Sequence, residues 1–243
     1  MFLKTLRLWT GFCAMVLMLG PGCLLALLGM RNAAMSLWCS IGLWALGVTV
    51  RVSGPLPRGG SLVVANHASY LDILILGAVC PGSFVAKSEV RDWPLIGLAG
   101  RLAGVLFVNR ERARSSSAAL KLLERRLDKG ERILLFPEGG INGKNGEVTP
   151  FRTMFFAGAA SGGHPVAPTA IRYVYPVDPR VWAWTDDSNP LSHALKNLLP
   201  ADYVRAAVHF GEPLGVGEGE GRKELALRAN AEVKRLWEGL GAP

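Results

Sequence analysis

The chain has 243 residues, 50% of them apolar and 19% charged, with a formal net charge of +8. That length supplies one sizeable core with an appendage and argues against two full domains, while the basic balance favours nucleic acid, lipid head groups or phosphorylated substrates. A mean hydropathy of +0.26 tilts that choice toward lipid.

Lys4 and Arg7 precede an uncharged span from Leu8 to Met30; Arg31 and Asn32 interrupt, and a second uncharged span runs from Ala33 to Val50. The two bracket the about 20 residues that a membrane-crossing helix needs. Gly20-Pro21-Gly22 breaks or kinks the first. Three arrangements fit. One is a two-helix hairpin that dips into or across a bilayer and returns; another is a single crossing followed by an interfacial helix. The third, a cleaved signal peptide, ranks last because no small-residue cleavage site ends the run. A buried helical pair in a soluble protein is the alternative without a membrane. Basic residues at both ends (Lys4, Arg7; Arg51, Arg58) favour the hairpin with both ends cytoplasmic. The expected division is a membrane-associated helical segment over residues 1–53 and a globular domain over 54–243, with Gly54–Gly60 as linker. Three of the four cysteines, Cys13, Cys23 and Cys39, lie in the apolar part. With Cys80 they show no metal-ligand spacing and read as small buried hydrophobes.

After the linker, Ser61–Ala65 is a short apolar run that reads as a buried strand, and Leu71–Val79 is long enough for a short helix. Between them lies Asn66-His67-Ala68-Ser69-Tyr70-Leu71-Asp72, a polar cluster at a strand-to-helix junction. Residues five apart face opposite sides of a strand and sit about 140° apart on a helix. His67 therefore meets Asp72 only if the chain turns between them. Ser69 offers that turn as a helix N-cap, with Asp72 at the third helical position. The same Ser-x-x-Asp spacing is close to a capping box, which needs no catalysis.

Strand-like and helix-like stretches then alternate. Strands are expected at Ser83–Ala86, Gly104–Val108, Arg132–Phe136, Val166–Tyr173 and Tyr203–Phe210. Helices are expected around Trp93–Leu102, over Ser115–Lys129 with Gly130 as its stop, and over Arg222–Gly239. The alternation predicts an α/β fold with a largely parallel central sheet flanked by helices. Two of these strands empty into polar turns. Val105–Val108 leads to Asn109 and Arg110, with Arg112 and Arg114 close behind, an arrangement that suits a phosphate ligand or a solvated loop. Phe136-Pro137-Glu138-Gly139-Gly140 places Glu138 at a strand end, followed by glycines that let backbone N–H groups approach a ligand or merely form a turn.

Four stretches appear in order: Asn-His-x-Ser-x-x-Asp at 66–72, Phe-Val-x-Arg at 107–110, Phe-Pro-Glu-Gly at 136–139 and Val-x-Pro-x-x-Ile at 166–171. They resemble the four motifs of the glycerolipid acyltransferase family, whose best-known member is 1-acylglycerol-3-phosphate acyltransferase. The resemblance spans roughly residues 61–173 and implies a membrane-associated N-terminal segment. It makes residues 54–243 an acyltransferase domain on the cytoplasmic side of the inner membrane. It implies that His67 and Asp72 are the catalytic pair, and that Asn66, Ser69, Arg110, Glu138, Gly139 and Gly140 line the acceptor site. One departure stands out. The family continues Phe-Pro-Glu-Gly with Thr-Arg-Ser, whereas this chain has Gly140-Ile141-Asn142. Either Lys144 or Arg152 replaces the missing arginine, or the acceptor has another head group, as in relatives that act on lyso-ornithine lipid. Trp182 and Trp184, with Asp186 and Asp187, belong to such a pocket or to a surface loop with interfacial tryptophans.

The reaction that the resemblance implies moves an acyl group from an acyl carrier protein or coenzyme A thioester to the hydroxyl of a lysolipid. The acceptor named first is 1-acylglycerol-3-phosphate. Histidine, with a reference pKa of about 6.5, is able to take the alcohol's proton near neutral pH. The carboxylate would hold its tautomer, as in a serine protease triad lacking the serine. The thioester is already activated, so no cofactor, metal or enzyme nucleophile is expected. Nucleic acid is not an expected partner, since charge alone suggests it. His164, His193 and His209 are isolated and read as structural or exposed.

Overall fold

A computed structural model describes residues 2–93, 96–109, 113–141, 146–176, 178–184, 190–198 and 200–241. Among them, strands β1 (Val48–Ser53), β2 (Leu62–Ala65), β3 (Ser83–Lys87), β4 (Leu106–Val108), β5 (Ile133–Leu135), β6 (Val166–Tyr175) and β7 (Val204–Phe210) form one sheet. Their order is β1-β7-β6-β2-β5-β3-β4. Every neighbouring pair is parallel except β6 and β7. The helices are α1 (Phe2–Leu17), α2 (Leu19–Leu27), α3 (Arg31–Leu46), α4 (Leu71–Val79), α5 (Ile96–Leu102), α6 (Ala113–Asp128), α7 (Phe156–Gly162), α8 (Pro190–His193) and α9 (Arg222–Gly239).

The central strands are apolar throughout because both faces are covered. In β2, Val63 and Ala65 pack toward α3 and α4, while Leu62 and Val64 pack toward α6, α7 and α9. Leu134 against Ile133 and Leu135 repeats this alternation in β5. A strand alternates its side chains with a period of two, so four residues suffice to serve two cores.

The expected strands and helices of the globular part are present, within a few residues at their ends. The N-terminal region differs from its reading as two comparable apolar spans. Lys4–Leu27 is, among the described residues, the one helix long and apolar enough to cross a membrane, and little of it is buried. α1 ends at Leu17, the residue whose carbonyl finds no N–H on Pro21, while Met18 keeps its helical bonds, donating to Ala14 O at 2.9 Å and accepting from Gly22 N–H at 2.8 Å. The second span is a helix of the domain. Met35, Cys39, Gly42 and Leu43, on one face of α3, are buried against α4. Val48–Ser53, read as the tail of that span and its flank, is instead the edge strand β1, paired in parallel with β7. Alternating Val48, Val50 and Val52 carried that signal.

The chain is fastened to the domain at the start of the apolar helix and again at the first residue of α3. Lys4 bonds to Asp202 at 2.8 Å, just before β7. Arg31, one turn past the helix, bonds to Glu131 at 2.8 Å and to Ser83 Oγ at 3.2 Å. Because β7 runs opposite to β6, Asp202 lies at the edge where β2 and β5 end, and Glu131 at the edge where β5 begins. The helix therefore lies along the flank of the domain.

Glu131 holds more than Arg31. It also accepts from Ser83 Oγ at 3.1 Å and lies 3.9 Å from Arg126. Burial alone would raise its pKa, but the bond and charge of Arg31, with Ser83 and Arg126, hold it below the usual carboxylate range. The stabilisation is therefore present above pH 4.5 and lost as pH falls through the lowered value. Glu131→Ala strands two half-buried guanidiniums. We expect it to lower stability by about 1–3 kcal/mol at pH 7 in chemical denaturation, with a smaller loss at pH 4.

Candidate active site

β2 and β5 are parallel neighbours, so His67 and Glu138 emerge at the same edge of the sheet. Open α/β sheets bind ligands at the carboxyl ends of their strands. What brings His67 to Asp72 is the start of α4. Ser69 Oγ accepts from the Leu71 N–H at 3.2 Å, and Asp72 Oδ2 accepts from the N–H groups of Ser69 at 2.8 Å and Ala68 at 2.7 Å. This is close to a capping box: Asp72 reaches back to the Ser69 N–H, but the serine hydroxyl holds the N–H of Leu71 and not that of Asp72. The turn that it closes also sets Oδ2 3.0 Å from His67 Nδ1. The structural and the chemical reading of this stretch are one arrangement.

Asp72 is fully buried, and its second oxygen accepts from the Tyr173 hydroxyl at 2.6 Å. An ionised carboxylate only accepts, so Nδ1 of His67 is the protonated nitrogen and Nε2 carries the lone pair. The imidazole lies flat on Phe136, with centroids 3.9 Å apart and planes at 11°. Its side chain keeps 11% exposure where its partner has none. The imidazole is thus accessible, oriented from one side by a sealed carboxylate and from another by an aromatic face.

The Tyr173 contact was not foreseen in the sequence, where Tyr173 merely ended a strand. Tyr173 is buried, and its ring stacks on Trp182 at 4.4 Å. Burial, followed by the charge of Asp72 and the bond to it, raises its pKa well above the ordinary phenol value, so it stays a donor. Trp182 and Trp184 are both buried, not interfacial. The Trp184 N–H bonds to Ala68 O at 3.3 Å, and its ring meets Tyr70 edge-on. Together they roof the His67 turn.

The remaining expected site residues fall in different places. Asn66 is buried, with Oδ1 accepting from Ile171 N–H at 2.8 Å and Nδ2 donating to Ile171 O at 2.9 Å. Its amide extends the β2–β6 ladder past Ala65. Ser69 is buried as the cap. Glu138 accepts from the N–H groups of Thr149 at 3.1 Å and His67 at 3.4 Å, bridging the two strand ends. Burial outweighs those two bonds and pushes its pKa up to about 7. Gly139 has a φ of +88°, and a Cβ there would overlap the Arg152 side chain. Gly140 follows, half-buried. Arg110 and Lys144, with Arg112, Asp186 and Asp187, lie outside the described residues.

The protein-family model that matches is Acyltransferase, over residues 47–172. Lyso-ornithine lipid O-acyltransferase of Rhizobium meliloti (strain 1021) is 33% identical over 215 residues, covering 82% of this chain and 73% of that one. The chain belongs to the acyltransferase family. The 1-acyl-sn-glycerol-3-phosphate acyltransferase of Neisseria gonorrhoeae is 36% identical over 145 residues, covering 59% of this chain and 56% of its own. The crystal structure of a 1-acyl-sn-glycerophosphate acyltransferase from Thermotoga maritima superposes with a TM-score of 0.74 at 24% identity, over 100% of this chain and 96% of that one. It shares the fold of this acyltransferase, a mostly parallel sheet between helical layers.

Two measurements test the geometry. Tyr173→Phe keeps the stacked ring but leaves Asp72 Oδ1 without its donor. A bond to a charged group is worth about 1.5–3 kcal/mol, so we expect a stability loss within that range and a fall in turnover. Glu138 titrates near 4.5 when unfolded and near about 7 when folded. Between those values the unfolded chain binds fewer protons, so its contribution to stability falls as pH rises. Glu138→Gln should flatten that slope in melting temperatures taken from pH 5 to 8.

Proposed function

We propose that this acyltransferase moves a fatty acyl group from a thioester to the free hydroxyl of a lysolipid, with lyso-ornithine lipid as the acceptor. The observation that carries the reaction is the His67–Asp72 pair at 3.0 Å. Nε2 takes the hydroxyl proton as the alcohol oxygen bonds to the thioester carbon. The carbon–sulfur bond then breaks, and the imidazolium returns the proton to the departing thiolate. Asp72 holds the ring and offsets the charge that develops on it. The thioester supplies the activation, delivered by acyl carrier protein or coenzyme A.

Two facts favour lyso-ornithine lipid. The relative named for it matches across 82% of the chain, well beyond the shared motifs. Ile141 also stands where a phosphate-binding arginine is expected, and an amide-linked ornithine presents a carboxylate and an ammonium in place of a phosphate. 1-Acylglycerol-3-phosphate is the second reading, supported by the Neisseria relative over 59% of the chain.

The apolar helix gives the enzyme its access to such acceptors. Trp9, Leu17, Leu24 and Leu27 are exposed on it, and Ile96 extends the patch onto α5. At 1.5 Å per residue the helix is about 36 Å long, yet the chain is tied to the domain at its start and again at the first residue of α3. A flank held in this way beds into the bilayer alongside the domain, and does not project through the bilayer as a free crossing. The exposed apolar helix supports a reading in which the acyltransferase sits on the inner membrane, with its active site on the cytoplasmic side where acyl thioesters are found.

The test is a panel of acceptors offered to the purified full chain in mixed micelles with both donor types. We expect acylation of lyso-ornithine lipid to exceed that of 1-acylglycerol-3-phosphate. His67→Ala should cost about 10²–10⁴-fold. Undiminished turnover by a folded His67→Ala protein would end the mechanism, and transfer to phosphatidate precursors alone would reverse the choice of acceptor.

A further inference from the structure

We infer that Arg152, which lies outside the four motifs, binds the anionic head group of the acceptor; this rests on the lysolipid reading above. The segment that carries it runs beside the Glu138 turn. The Arg152 N–H donates to Pro137 O at 2.8 Å, and the Thr149 N–H donates to Glu138 Oε1 at 3.1 Å. The Asn230 amide, from α9, fixes the same segment through Thr149 O at 2.8 Å. From that rail the Arg152 side chain lies flat on Gly139, in space that a Cβ would fill.

Its guanidinium is exposed and has no carboxylate partner among the described residues. Arg31 is engaged by Glu131, Arg172 by Trp237, Arg228 by Glu220 and Arg235 by Glu232. Arg152 differs from other exposed arginines without a carboxylate partner among those residues, such as Arg51, Arg58 and Arg91, in lying against the Glu138 turn. Glu138, the nearest carboxylate in sequence to Gly139, directs both oxygens to backbone N–H groups, one of them that of His67. An unpaired planar fork is thus held one residue from a side chain that touches the catalytic turn. The fork suits a carboxylate or a phosphate. Ile141 puts no cation at its position in this turn, and among the described residues Arg152 supplies one from the other side.

The experiment compares wild type, Arg152→Gln and Arg152→Lys, as full chains in mixed micelles. The acceptors are lyso-ornithine lipid, its carboxamide analogue and 1-acylglycerol-3-phosphate. We expect Arg152→Gln to raise KM for a charged acceptor by about 10- to 100-fold with kcat little changed, and Arg152→Lys to raise it less. KM for the carboxamide should be the same in wild type and Arg152→Gln. A rise confined to lyso-ornithine lipid identifies a carboxylate as the ligand, and one confined to 1-acylglycerol-3-phosphate identifies a phosphate. Unchanged KM for both charged acceptors, or an equal rise with the carboxamide, overturns the assignment while leaving the proposed function standing. A wild-type chain that acylates none of the three sinks the proposed function and the assignment with it.

Discussion

A carboxylate sealed from water survives as an anion only if donors surround both oxygens, and the site is built on meeting that demand at Asp72. Two donors are backbone N–H groups of its own turn, one is the Tyr173 hydroxyl from β6, and the fourth is His67 Nδ1. The three that are not histidine fix the carboxylate before any substrate arrives. The imidazole then has one place to put its proton, and its free lone pair has one direction. A cap worth about 1 kcal/mol to an ordinary helix here also sets the geometry of the His67 imidazole.

The rest of the fold holds the components of that arrangement in register. β2 and β6 are adjacent and parallel, so Tyr173 reaches Asp72 from a neighbouring strand. Asn66 continues their pairing for one residue after the backbone has turned away, which keeps the first residue of the turn from drifting. β5 brings Phe136 under the imidazole and Glu138 against the His67 N–H. On the outer side, α3 covers α4, and the apolar helix covers α3. The His67 turn is therefore connected, through one continuous helical layer, to the exposed apolar surface of the N-terminal helix.

Much of this was legible in the sequence because the signals were local. Leu71–Val79 and Arg222–Gly239 have the boundaries that periodicity and stop residues suggested, and Ser69-x-x-Asp72 contained its own geometry. What stayed hidden depended on distant partners. α7 is rich in glycine and alanine and shows no apolar stripe; Gly158 is needed because a Cβ would strike Leu123 of α6. Tyr173 ends an apolar strand and gains its role only from Asp72, far back in the chain. The apolar run after Arg31 was read by composition alone. Composition does not distinguish a helix buried by lipid from one buried by α4.

Asp72 and Glu138 show how one site gives two carboxylates different characters. Both are removed from water, and they stand on either side of the His67 backbone. Asp72 has four donors, including a phenol and an imidazole. Glu138 has two backbone N–H groups, the longer bond being 3.4 Å, and there burial wins. A carboxyl group with a pKa of about 7 is ionised about half the time at neutral pH. Its neutral form places no second full charge beside Asp72. In the mechanism proposed above, His67 is the partner of Asp72 whose charge changes.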